Sequence, residues 1–479
     1  MQEKELKEFV EKIISKKCED KNTELKSAAN GCPKRLYDTL SSFSNQDDGG
    51  KIIFGIDEKN DYQLVGVYDA QDLQVQLNNQ CKEMEPIVRA LITVTTIDEK
   101  NIVCAEIPGI EITQRPCYYR GKGKITGSYV RIGESDEQMT DYEIYSYEAY
   151  RQKYQDDIRV VESASFDTVN RITFEEYILK CKKGKPNLAR LSDEQINELL
   201  SITKKGKLTL ASVMLFGIYP QAYFPQLSII ATKVFGKETG SLGENGERFI
   251  DNKRIEGTIS EMLDGALSFV KNNMKTSTII SPLTGQRIDK SEYPITAVRE
   301  VILNALVHRD YSFHTEGMPI QIIMYSDRIE VKNPGGLYGR LRIDQLGKTQ
   351  PDTRNPVLAV AMETMNLTEN RYSGIPTIRM EMKKANLPAP KFEDNRGNFT
   401  VTLYNTATEI NEEKTENGIL DFCSVPRTRE EIARFLGVSS VSYALKKYIK
   451  PLIESGNIDI VNKTSPNSPE QKYFTVAYG

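Results

Sequence analysis

Residues 299–312 read REVILNALVHRDYS, and the placement of their polar letters decides how the middle of the chain is built. Glu300, Asn304 and His308 recur at every fourth position. On a helix they form one stripe, while Val301, Ile302, Ala305 and Leu306 fall on the opposite, core-facing stripe. Asparagine is a poor mid-helix residue because its amide competes for backbone hydrogen bonds. Set between a carboxylate and an imidazole, it leaves two readings: a solvated helix face, or one wall of a site. In the second, Asn304 offers an oxygen to a hard cation such as Mg²⁺, and Glu300 polarises an attacking water.

Downstream, PIQIIMYSDRIEVKNPGGLYG (319–339) reads as a strand, a turn at Ser326 and Asp327, a second strand and a loop holding Gly335, Gly336 and Gly339. RYSGIPTIRMEM (371–382) places Gly374 just before a helical pattern. Such loops let backbone N–H groups approach phosphates or a nucleobase closely. RIDQLGKTQ (342–350) ends in Gly347, Lys348 and Thr349 but has Arg342 where a P-loop needs glycine, so that motif is excluded.

The whole chain has 479 residues, 39% hydrophobic and 27% charged, with two histidines and a formal net charge of −4. That length predicts several domains, each with its own core, and the acidic balance confines any polyanion site to a local patch. The charged start, MQEKELKEFVEKIISKKCED, predicts an amphipathic helix rather than a signal peptide. LASVMLFGIYPQAYFPQLSIIATKVF (210–235) is broken by Pro220 and Pro225; it is expected to form two buried strands around a turn, not a membrane span. Seven cysteines without a C-x-x-C pair fit reduced thiols in a cytoplasm.

In the amino-terminal third, SNQDDGG leads into the apolar run KIIFGID, expected as a buried strand, and DYEIYSYEAYRQKYQDD is expected as a helix. Glu19, Glu24 and Asp57 are either surface acids or, converging, ligands for divalent ions in phosphodiester hydrolysis, with Lys26 on the scissile phosphate. YYRGKGKITGSYVR sets Arg120, Lys122, Lys124 and Arg131 beside Tyr118, Tyr119 and Tyr129. That is a nucleic-acid surface or a basic hairpin over ordinary core tyrosines. Near the end, Thr428 and Glu431 have capping-box spacing, Gly437 ends that helix, and a second helix carries Ser440, Tyr443, Lys446 and Lys447 ahead of two short strands, a winged helix-turn-helix pattern suited to DNA.

EVILNALVHRD, NPGGLYG and YSGIPTIR resemble the N box and the two glycine boxes of the GHKL ATPase family. The resemblance implies ATP and Mg²⁺ as cofactors: Glu300 the general base, Asn304 the metal ligand, His308, Gly335, Gly336 and Gly374 in the nucleotide pocket, and RIDQLGKTQ (342–350) with TRNPVLA (353–359) as its lid. The family's adenine-reading Asp is Asn333 here, and a glycine of its second box is Tyr372. TELKSA, SSFSNQDDGGKIIFGIDE, RPCYYRGKG, GSYVRIG and MTDYEIYSYEAY are similar to the Schlafen/Alba-type domain, with Leu25 where an aromatic is usual. Some relatives use that domain as an RNA nuclease and others only to bind nucleic acid.

The expected fold class is therefore a multidomain α+β chain: a Schlafen/Alba-type α/β domain over 1–155, a GHKL (Bergerat) α/β sandwich with a connecting subdomain over 156–410, a linker over 411–420, and a winged helix-turn-helix over 421–479. The function implied is an ATP-responsive nucleic-acid-binding regulator of transcription in bacteria, a homodimer, with DNA or RNA as partner. The alternative is an ATP-controlled, metal-dependent nuclease acting on RNA or single-stranded DNA, in defence.

Overall fold

The computed structural model describes residues 1–17, 22–280, 287–350, 352–368, 373–405, 419–420, 422–436, 445–461 and 471–476. The amino-terminal unit is built on a four-stranded sheet in which Gly50–Phe54 pairs in parallel with Thr23–Lys26 and antiparallel with Lys100–Ile107, which in turn pairs with Leu91–Ile97. Alternation along Gly50–Phe54 covers both faces. Ile53 packs with Leu6, Val10 and Ile13 of the Glu3–Lys16 helix. Ile52 and Phe54 pack instead with Leu40 and Phe43 of the Tyr37–Ser44 helix and with Leu73 and Leu77 of Ala70–Lys82. The Asp141–Gln152 helix, with a capping box between Thr140 and Glu143, follows.

The middle of the chain shares one core running from Val161 to Leu403. Its six-stranded sheet has the order Asp251–Ile255, Ile229–Lys233, Ile320–Met324, Arg328–Pro334, Asn398–Tyr404, Lys391–Asp394. All neighbours run antiparallel except Ile229–Lys233 with Ile320–Met324. The Ile295–His308 helix packs between Ile259–Asn273 and Gly374–Lys384. The expected pair of strands in 210–235 is half wrong. Leu210–Phe216 is a helix, begun by the Thr209 side chain accepting from the Ser212 N–H, and only Ile229–Lys233 is a strand. All seven helix residues are buried, so no solvent face left a helical period in the sequence.

The carboxyl-terminal residues have a separate small core around Ile432, Ile449, Leu452 and Tyr473. The Arg429–Leu436 helix starts with the expected box: the Thr428 N–H donates to Glu431 Oε2 at 2.9 Å, and the Glu431 N–H donates to Thr428 Oγ1 at 3.2 Å. Strands Arg427–Thr428, Lys472–Thr475 and Ile458–Ile460 form a three-stranded sheet in that order. No helix among the described residues is long and apolar enough to cross a membrane.

One buried carboxylate ties the start of the middle domain to its far end. Asp157 Oδ2 accepts from the Val357 and Leu358 N–H groups at 2.9 and 3.2 Å, capping the Pro356–Thr364 helix from two hundred residues away. Burial pushes this carboxyl up from 3.8 to about 6 against the pull of the two amides. The fold therefore favours the protonated acid, and stability falls as pH rises from about 4 to about 6. Asp157→Ala is expected to lose about 1–2 kcal/mol at pH 7 in urea denaturation. Asp157→Asn should keep most of the cap and flatten that pH dependence.

Candidate functional site

The Ile295–His308 helix buries Val298, Ile302 and Leu306 away from a cavity of about 510 Å³, and Glu300, Asn304 and His308 form one wall of that cavity together with Val301 and Ala305, which were expected on the core side only. That volume lies within the range of small-molecule and cofactor sites. Asn333, from the Arg328–Pro334 strand, lies on another wall. The loop from Gly335 to Leu341 and the start of the Gly374–Lys384 helix complete the lining. Asn355 steadies the arrangement by donating its carboxamide to the carbonyls of Val307 and Arg309 at 2.8 and 2.7 Å, at the end of the Ile295–His308 helix.

Gly374 sets how closely the two helices approach. A β-carbon there would lie 2.8 Å from Asn304 Nδ2 and 3.2 Å from Glu300 Oε2. Gly335 has φ +101°, and a β-carbon on it would lie 2.7 Å from Asp310 Cβ. Both positions need glycine, one for space and one for conformation as well.

The polar groups of the lining are unequally satisfied. Arg299 lies 3.2 Å from Glu300 Oε1 and also donates to the Leu367 carbonyl at 2.7 Å, so the carboxylate expected to act as a base already has a cation. Asn304 Nδ2 and Asn333 Oδ1 are buried with no hydrogen-bond partner. Unmet polar atoms in a cavity wall mark where a polar ligand is accommodated. His308 opens to the cavity but is walled round by protein, and that environment, with the Arg354 charge, keeps its imidazole neutral. Arg354 itself lines the cavity, donates to the Gly336 carbonyl at 3.2 Å and sits 3.4 Å from Asp310 Oδ2. Tyr372 lies outside the described residues.

Sequence reasoning did not single out Arg354 or Asp310. Arg354 stood in the expected lid segment, and Asp310 follows His308 by two residues, but neither has a local pattern that signals burial. Their partner Tyr142 is 168 residues from Asp310.

The amino-terminal candidates separate into inner and outer groups. Arg131, expected at a nucleic-acid surface, has a side chain only 2% exposed, held 2.9 Å from Glu24 and 3.0 Å from Asp136. Its charge is consumed inside the unit, because a buried guanidinium needs carboxylates around it. Glu24 is also paired with Lys26. Asp57 ends the short Ile56–Asp57 strand, half-buried, and Glu19 lies outside the described residues. Among the described residues no group of three or more His, Cys, Asp or Glu side chains is disposed to hold a metal ion.

Arg120 and Lys122 are exposed and Lys124 is half-buried. Lys122 donates to the Tyr129 hydroxyl at 2.9 Å and lies over the Tyr37 ring, which Arg35 also approaches and which stacks on Tyr119 at 4.2 Å. Arg120 pairs with Glu85 and Lys124 with Glu148 at the surface. Ser440 and Tyr443 lie outside the described residues. So do the side chains of Lys446 and Lys447, whose backbones are in the Leu445–Ile449 helical turn.

Residues 317–403 match the family model described as "Putative ATP-dependent DNA helicase recG C-terminal", and residues 19–140 match the one described as "Schlafen, AlbA_2". The chain thus carries an AlbA_2 domain followed by a recG-type ATPase-like domain; the second match begins after the helix that bears Glu300 and Asn304. No curated protein matches. Among solved structures, the DIP2311 protein from Corynebacterium diphtheriae is 17% identical over 94% of this chain and 92% of that one, with a TM-score of 0.40. The N-terminal domain of a "Putative ATP-dependent DNA Helicase RecG-related Protein" from Nitrosomonas europaea is 25% identical over 28% of this chain and 92% of that one, with a TM-score of 0.23.

The close approach at Gly374 is directly testable. Its backbone is helical and suits alanine, so Gly374→Ala should leave the melting temperature within about 2 °C of wild type. Crowding of Asn304 and Glu300 should raise the Kd for adenine nucleotide at least about tenfold in calorimetry.

Proposed function

We propose that the chain is an ATP-responsive nucleic-acid-binding protein, a transcription regulator whose grip on DNA depends on the state of its nucleotide pocket. The observation that carries this reading is how the pocket is roofed. The segment between Gly335 and Arg354 borders the cavity, and it is held from outside by the amino-terminal unit. The Tyr150 hydroxyl donates to Asp352 Oδ2 at 3.0 Å, the Tyr150 and Tyr338 rings meet edge-on at 5.4 Å, and Arg342 pairs with Asp48 at 3.4 Å. A ligand that reshapes the roof therefore acts on the neighbouring domain.

Within the pocket, Asn333 Oδ1 suits the amino group of adenine. Asn304, with phosphate and water oxygens, would complete the shell of Mg²⁺, which neutralises phosphate charge when bound. Gly335, Gly336 and Gly374 leave backbone near the phosphates, and neutral His308 adds a hydrogen-bonding wall without charge. The pairing of Glu300 with Arg299 favours binding over rapid turnover. Lys122 and Arg120, beside the stacked Tyr37 and Tyr119, are the cations and ring faces on offer to nucleic acid. Lys26 and Lys124 are further cations on offer, each paired with a carboxylate. In the carboxyl-terminal unit, read as a winged helix, Ser440, Tyr443, Lys446 and Lys447 supply a second contact. The reading places the protein in the cytoplasm as a homodimer. The engagement of Glu24 by Arg131 and Lys26 favours binding over cleavage.

Titrating labelled duplex DNA with and without ATP–Mg²⁺ tests the coupling. An affinity change of at least about fivefold is expected. Identical affinities would remove the switch, since a ligand shifts only an equilibrium whose two states it binds differently.

A further inference from the structure

Arg354 stands between two cavities. One is the nucleotide cavity; the other, of about 760 Å³, lies between the amino-terminal unit and the middle domain, and the loop after Gly335 is their common wall. The Arg354 side chain is 8% exposed, lies under the Tyr338 ring at 5.1 Å, and its Nη1 is buried without a hydrogen-bond partner. The nearest anion to that nitrogen is Asp310 Oδ2, at 3.4 Å. The same oxygen accepts from the hydroxyl of Tyr142, at 2.7 Å. Tyr142 belongs to the Asp141–Gln152 helix of the amino-terminal unit and packs against Gly397. The other oxygen, Oδ1, accepts from the Ser312 N–H at 2.8 Å. Burial pushes the Asp310 carboxyl up, but Arg354, Tyr142 and Ser312 outweigh it and hold the group below the usual carboxylate range. One oxygen atom of an anion thus serves a cation of the pocket roof and a hydroxyl of another domain.

We propose that Arg354 reads the phosphates of the bound nucleotide and that the carboxylate it shares with Tyr142 passes that reading to the amino-terminal unit. The proposal rests on the nucleotide reading of the pocket and adds to it the residue that senses phosphate and the route by which the sense is carried. A buried guanidinium with an unmet N–H, held to its carboxylate at 3.4 Å, is poised for a better anion. A phosphate offers two oxygens in the geometry the guanidinium fork prefers. As Arg354 turns to phosphate, Asp310 Oδ2 loses its cation and leans more heavily on the Tyr142 hydroxyl. The bond between the domains strengthens. Linkage makes the effect reciprocal: weakening the Tyr142 contact leaves Arg354 more tightly claimed by Asp310, and nucleotide binds less well.

Calorimetry on the full chain with ATP–Mg²⁺ and, separately, adenosine tests both halves, with hydrogen exchange of residues 141–152 as a second readout. For Arg354→Lys the Kd for ATP should rise about tenfold, with adenosine unchanged. Tyr142 does not line the nucleotide cavity. Tyr142→Phe should still raise the Kd for ATP about threefold, leave adenosine unchanged, and abolish the ATP-dependent slowing of exchange seen in wild type. Wild type that binds no ATP overturns the nucleotide reading and the proposal together. Wild type that binds ATP, beside an Arg354→Lys variant of equal affinity, overturns the phosphate role alone. Tyr142→Phe matching wild type in affinity and exchange overturns the relay. Should Arg354→Lys melt early without ligand, Tyr142→Phe and the exchange readout still decide.

Discussion

The Ile295–His308 helix must satisfy two surroundings at once. Its apolar stripe is locked into the largest core of the molecule, and its polar stripe must stay close to a second helix without being filled by it. Glycine at 374 reconciles the two demands, because a β-carbon there would crowd the polar ends of Asn304 and Glu300 in the cavity while leaving the core contacts in place. The cavity is thus a consequence of core packing. Interiors are close-packed and transmit small displacements, so the distance between the two helices is fixed by buried residues such as Ile302 and Met382 that do not line the cavity.

Charge is distributed according to burial. Arg131 and Arg354 are interior cations, each within 3.4 Å of a carboxylate, as the cost of an unpaired buried charge requires. Each has one buried N–H without a hydrogen-bond partner, Nε of Arg131 and Nη1 of Arg354, and they differ in how many anions hold them. Arg131 has two carboxylates at about 3 Å, Glu24 and Asp136, and the Thr23 carbonyl at 3.2 Å, so it is a structural cation. Arg354 has one carboxylate at 3.4 Å and lines a cavity, so it has capacity left for a ligand. Residue type alone does not separate the two.

What was legible in the sequence follows the same line. Helix Ile295–His308, strands Gly50–Phe54, Ile320–Met324 and Arg328–Pro334, and the Thr428 capping box all have a periodic or local signal, and each formed where expected. Leu210–Phe216 failed because burial on every side erased its period. Within the site, the stripe of Glu300, Asn304 and His308 and the glycines at 335, 336 and 374 could be found, since regular spacing and loop composition are local. Asp310, Arg354 and Tyr142 could not be assembled, because they come from three separate stretches and meet only through tertiary packing. Arg131 was read as a surface cation for the same reason: its two carboxylates are not both neighbours in sequence.

The amino-terminal unit meets the middle domain through contacts of very different weight. Arg396 reaches Glu137 and Glu143, and Arg342 reaches Asp47 and Asp48, but these cations are exposed enough for solvent and salt to screen them. Tyr142 with Asp310 is another matter: the carboxylate is buried, the bond is short, and hydrogen bonds to charged groups contribute about 1.5–3 kcal/mol each. The aromatic contacts of Tyr145 with Phe313 and His314, in the loop that follows Asp310, add apolar packing that salt does not weaken. The most buried of these inter-domain contacts come from the few residues after His308, and those residues begin where the pocket-lining helix ends. The helix adjoins the interface through two residues of backbone, and Arg354 adjoins it through its side-chain contact with Asp310.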